Sequence, residues 1–118
     1  MKVPRKDFEI FKKECIRLQK EWGLLGWELV FKFESLIDKK HMAETNANLS
    51  SRKATLFLSS ELPDENKDDR DPIANARHEM LHVLLWRMSG NGYERFTTRA
   101  ELEESEHEVI MQLLKIIP

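Results

Sequence analysis

Residues 78–82 read His-Glu-Met-Leu-His, and on a helix that spacing has a chemical use. Residues four apart lie about 40° apart around the axis and one turn along it, so His78 and His82 can aim both imidazoles at one point. Glu79 projects about 100° from His78, beside that point rather than on it. A carboxylate there can take a proton from a water whose pKa a bound metal has lowered toward neutrality. Two ligands and a general base thus fit in five residues, and zinc is the metal the HExxH pattern suits. The competing account is a hydrogen-bonded histidine network in a core. Ile73, Ala76, Met80, Leu81, Val83, Leu84, Leu85 and Trp86 make the same segment apolar nearly all round, as in a central buried helix. Imidazoles buried there without a partner would each cost on the order of 1–3 kcal/mol, so they need either a metal or hydrogen bonds.

With four histidines in the chain the motif can arise by chance, and a zinc site needs a third ligand. Helical phase offers one in ELEESEHEVI, residues 101–110. With Leu102 at zero and about 100° per residue, Leu102, Val109, Ile110, Leu113, Ile116 and Ile117 fall in one sector centred near about 30°. Glu106 falls at about 40°, the middle of that apolar face. A carboxylate there needs a reason, because an unpaired buried charge is prohibitive. A metal supplies one, and a salt bridge to a buried arginine would be another. Glu103, roughly 70° from the centre, and His107, about 110° away, are the reserve ligands. Glu101 and Glu104 suit a helix N-terminus, where negative charge is favourable.

The elements that must position these residues can be read from period and punctuation. Phe8, Phe11, Cys15, Leu18 and Trp22 recur at steps of three and four, predicting a helix from Pro4 to Glu21 that stops at Gly23. In WELVFKFE, Trp27, Leu29, Phe31 and Phe33 alternate with charged residues, which marks a half-buried strand. Two further strands, about 42–49 and 53–59, are separated by Ser50-Ser51-Arg52-Lys53 and form a plausible hairpin. The charged run 61–71 reads as a solvated connector without the ligand spacing of a calcium loop. Asp71-Pro72 opens the helix that carries the motif, about 72–88, and SGNG at 89–92 is expected to close it. Thr98 and Glu101 form a capping box for a last helix running to about Ile117.

One domain over residues 1–118 is the expected organisation, since 118 residues suffice for one core and not for two. With 41% hydrophobic and 34% charged residues the chain has the apolar material that disordered chains lack. A net charge of −2 gives no support to a nucleic-acid surface. The single cysteine, Cys15, excludes a four-cysteine zinc knot and leaves metal binding to histidine and carboxylate. The N-terminal stretch has charges throughout, and no later stretch approaches the 18 apolar residues of a membrane span, so no membrane partner and a cytoplasmic location are expected.

A helix, antiparallel strands, a helix bearing HEMLH, a short loop and a helix bearing a glutamate resemble the minimal zincin-like metallopeptidase domain of the gluzincin type, especially short phage and prophage versions. ARHEMLHVLL followed by EHEVI carries the resemblance, over about residues 25–117. It implies an α+β fold with a small antiparallel sheet of about three strands packed on three helices. It also implies Zn²⁺ on His78, His82 and Glu106, Glu79 as general base, and a peptide or protein substrate. The strand ATLFLS would line the cleft, where a peptide can add as an extra strand. Residues matching the transition-state donor of larger members are missing. Tyr93 and Arg95, in the loop over the site, are candidates for stabilising an oxyanion, and His41 could approach the cleft. The alternative function is a non-catalytic zinc-containing binding or assembly module.

Overall fold

The apolar stripe of the first segment forms α1 (Arg5–Glu21), which buries Phe8, Phe11, Cys15 and Leu18 on one face. Gly23 follows with φ +69, the left-handed conformation that ends the helix. The computed structural model describes residues 1–39, 41–63, 70–93 and 98–116, and of 91–93 the backbone alone. After α1 come β1 (Glu28–Glu34), a short 3-10 turn at Ile37–Lys39, β2 (Ala43–Asn48), β3 (Lys53–Ser59), α2 (Pro72–Tyr93) and α3 (Arg99–Leu113). This is a small α+β fold, as expected. No helix among the described residues is long and apolar enough to cross a membrane.

The sheet differs from expectation in direction. Its order is β1-β3-β2, with β2 antiparallel to β3 but β1 parallel to β3. The hairpin between β2 and β3 forms at the expected place. Its turn is tied by Asn48, whose side-chain oxygen accepts from Ser50 Oγ at 2.8 Å and Ser51 N at 3.2 Å. Arg52 takes φ 54 to complete the turn. β1 joins the free side of β3 and runs parallel to it, which leaves β2 at the edge. Alternation gives a half-buried strand but says nothing about its partner's direction.

Being central, β3 has its inward residues Ala54, Leu56 and Leu58 fully buried. Phe8 stacks on Phe33 at 5.1 Å and Phe11 meets Phe31 edge-on at 6.4 Å, which fastens α1 to β1. Gln19 Nε2 donates to the Trp27 carbonyl at 2.7 Å and fixes the approach to β1.

α2 starts as its sequence predicts. Asp71 Oδ1 accepts from the backbone N–H groups of Ile73 and Ala74, at 3.0 and 3.2 Å. Just before it, Arg70 grips Asp7 of α1 through two bonds of 2.6 and 3.2 Å. The helix then runs through Gly90 and Gly92 to Tyr93 instead of closing at residue 88. Glycine weakens a helix by about 1 kcal/mol relative to alanine without forbidding it. α3 has Thr98 as its N-cap, accepting from Glu101 N at 3.1 Å.

Candidate metal centre

His78 and His82 both lie on the exposed side of α2, while Ala76, Met80, Val83 and Leu84 turn into the core. The segment is therefore amphipathic, not buried all round, and the expectation of two buried imidazoles is corrected. Its many apolar residues mislead because Ile73, Leu81 and Met88 remain on the solvent side. His78 Nε2 and His82 Nε2 are 3.3 Å apart, with the rings inclined at 71°. Two nitrogens each about 2.0–2.1 Å from a tetrahedral zinc are separated by about 3.3–3.4 Å, so this pair has the spacing of two ligands of one ion. A proton shared between the rings would give a similar distance.

Glu79 is the buried member of the motif, at 5% exposure. Its carboxylate does not turn to solvent but to the sheet, where Thr45 Oγ1 of β2 donates to Oε1 at 2.7 Å. The same hydroxyl stands 3.3 Å from the Glu79 backbone carbonyl. Beneath lies Cys15 of α1, whose thiol is pushed far above its usual range, first by burial and then by the charges of Glu79 and Glu14. That cysteine is a packing residue and is held as the neutral thiol.

A cleft of about 610 Å³ opens over the motif, lined by His78, Glu79, His82, Trp86, Ser89 and Gly90 of α2 and by His41, Ala43, Glu44 and Thr45 opposite. The strand wall is thus β2 rather than ATLFLS, which correctly reads as the better strand but for that reason sits in the middle of the sheet. Thr45 and Glu44 carry no signal in the sequence. Their role appears when β2 is found at the edge beside α2. Glu44 is itself paired to Lys39 at 3.4 Å, at the mouth of the cleft.

The third ligand is where expectation and structure part. α3 turns Ser105 and Val109 inward, whereas Glu106 is exposed, as are Leu102 and Ile110 on either side of it. The buried face is rotated by about 70° from the one deduced by phase. Among the described residues no three His, Cys, Asp or Glu side chains come close enough together to hold a metal. The cause lies in polar contacts that phase ignores. Arg87 of α2 binds Glu104 at 2.7 Å and Glu108 at 3.2 Å, and Arg52 stands 3.9 Å from Glu108. Ser105, small and fully buried, donates to the Glu101 carbonyl at 2.8 Å and lets α3 approach closely. Glu103 pairs with Arg99 at 2.9 Å on the solvent side, and His107 is exposed. The Tyr93 side chain and Arg95 lie outside the described residues.

No protein-family model matches the chain, and no curated protein or solved structure matches it either. The functional reading therefore stands on the residues themselves. His78 and His82 fit a metal by donor type and spacing, and Glu79 fits a base by position. No third donor stands with them among the described residues.

Proposed function

We propose that the protein is a zinc-dependent metallopeptidase, with the metal on His78 and His82 and Glu79 as general base. The observation that carries it is the 3.3 Å separation of the two Nε2 atoms beside a buried carboxylate, at the floor of a cleft bounded by an edge strand. A shared proton explains the histidine pair but not why a carboxylate is buried beside it with one oxygen left for a second partner. Zinc, when bound, supplies a lowered water pKa and polarises the substrate carbonyl. Thr45 holds Glu79 Oε1, so Oε2 is the oxygen that takes the proton from the attacking water and returns it to the leaving amine. The outer edge of β2 can hydrogen-bond an extended peptide and align it with the cleft. Glu106 is exposed on α3, as are Glu103 and His107, so the third donor is left unassigned. A peptide or protein is the substrate, and the cytoplasm is the proposed location.

Zinc content after purification without a histidine tag is the first test. About one equivalent is expected, and less than about a tenth would overturn the metal site. His82→Ala should abolish retention of zinc, whereas Glu79→Gln should keep it and lose proteolysis. The second reading is a non-catalytic zinc-containing binding or assembly module of phage origin. It draws on the exposed Ile110 and Met111 of α3 and Leu114 at its C-terminal end, which leave apolar surface open to a partner. Zinc retention with no cleavage of a peptide library by the wild type would favour it.

A further inference from the structure

Two donors half-fill a zinc site. His78 Nε2 and His82 Nε2, 3.3 Å apart, span one edge of a coordination tetrahedron, whose corners lie about 3.3–3.4 Å from one another. Among the described residues no third His, Cys, Asp or Glu joins them. A closed zinc site has four protein ligands, so the pair supplies half of one.

A tetrahedron has a two-fold axis through its centre that carries one edge onto the opposite edge. Two copies of this chain related by that axis would each contribute the same two imidazoles, and the coordination would be complete without a further donor. The surface of α2 permits such an approach. Around the helix axis, the buried Ala76, Met80, Val83 and Leu84 centre on one direction, and the two histidines centre about 165° from it, nearly opposite the core. Their neighbours on that side, Ala74, Leu81, Met88 and Ser89, are exposed too. Arg77 is the one exposed charge among the described side chains of α2, in a chain of which 34% is charged. Two such faces therefore meet with few like charges to oppose them. Their apolar part is small: Leu81 and Met88 fall well short of the about 800 Å² per partner that a stable interface buries. Metal, rather than apolar burial, has to hold the copies together.

We propose that one zinc ion joins two copies of this chain through His78 and His82 of each, in a closed four-nitrogen site on a two-fold axis. This rests on the zinc reading of the histidine pair and not on peptidase chemistry. Four protein nitrogens leave no position for water, so the joined form is the non-hydrolytic state of the centre. Hydrolysis belongs to the single chain with an ion of its own. Mass action separates the two forms: chains in excess of zinc share ions, and zinc in excess of chains gives each histidine pair its own.

The test follows the mass of the full chain by sedimentation velocity as zinc is added to metal-free protein. At about half an ion per chain the mass should double from the 14.0 kDa of one chain, and EDTA should reverse the change. Cobalt(II) at the same ratio should show the strong visible bands of a tetrahedral ion. His82→Ala should keep the mass of one chain at every ratio and, since His82 is exposed, should unfold at the wild-type urea concentration. Glu106→Ala and His107→Ala should double in mass as the wild type does. A wild type that binds zinc but keeps the mass of one chain at about half an ion per chain would overturn the pairing and leave the zinc reading standing. Doubling that survives EDTA or His82→Ala would overturn it as well, because the histidines would not be the link. Failure to take up zinc or cobalt at any ratio would remove the zinc reading itself, and the pairing with it.

Discussion

The two sides of α2 are built on different principles. Toward α1 and the sheet it presents Ala76, Met80 and Val83, all essentially inaccessible, and adds the Thr45–Glu79 bond across to β2. Toward α3 the contact is made through Ser105, Val109 and an ionic cluster around Arg87, while Leu102, Ile110, Met111 and Leu114 remain exposed. Gln112 Oε1 is buried there without a partner among the described residues, beside Gly23, where even a methyl group would stand 2.7 Å from it. One side has the dense apolar packing that specifies a single arrangement, and the other is held by polar contacts of small net worth. Glu79 belongs to the first side, His78 and His82 lie on the exposed surface next to it, and Glu106 is carried by the helix that packs on the second. That separation leaves Glu106 apart from the histidine pair.

The two sides of α2 should differ most in the core. Met80→Ala should cost about 2–5 kcal/mol in urea unfolding, because a fully buried side chain leaves a cavity. Val109→Ala, on the α3 side, should cost about 1.5 kcal/mol from its two methyl groups. Equal losses would show that α3 is as firmly docked as the sheet. Thr45→Val removes the donor to a buried carboxylate and should destabilise by about 1–3 kcal/mol, with Thr45→Ser close to wild type. If Thr45→Val unfolds at the wild-type urea concentration, the strand does not hold Glu79. Arg87→Gln should change stability by no more than about 1 kcal/mol, and by less in high salt, since the ion pairs it breaks are partly solvated.

The smallest expected effect is the most informative about the centre. In the docking seen here Glu106 is out of reach, so Glu106→Ala should keep zinc affinity within about threefold of wild type in a competition with a chelating dye. A loss of tenfold or more would mean that α3 docks on its other face when metal is bound, which would restore Glu106 as the third ligand.

Much of this arrangement is legible in the chain. The period of Phe8, Phe11, Cys15 and Leu18, the Asp71-Pro72 helix start, the Thr98 cap and the hairpin around Ser50 each depend on neighbours in sequence, and each folds as read. His78 and His82 belong to that class too, because a helical turn alone sets their nitrogens in register. The place of Glu79 beside the pair is legible in the same way, though its burial is not.

What depends on distant partners could not be read in the same way. Strand order requires knowing which of two edges β1 joins, and it moved the cleft wall from β3 to β2, bringing Thr45, Glu44 and His41 to the site. The phase of α3 follows apolar residues only when apolar packing dominates the contact. Here Arg52 and Arg87, contributed by a hairpin turn and another helix, bias the rotation through Glu104 and Glu108. The sequence by itself determined the local chemistry, two imidazoles and a carboxylate on one helical turn, because covalent spacing and helix geometry suffice for it. The tertiary structure decided what faces that turn, since burial and charge pairing between remote segments are properties of the packed chain and not of any stretch within it.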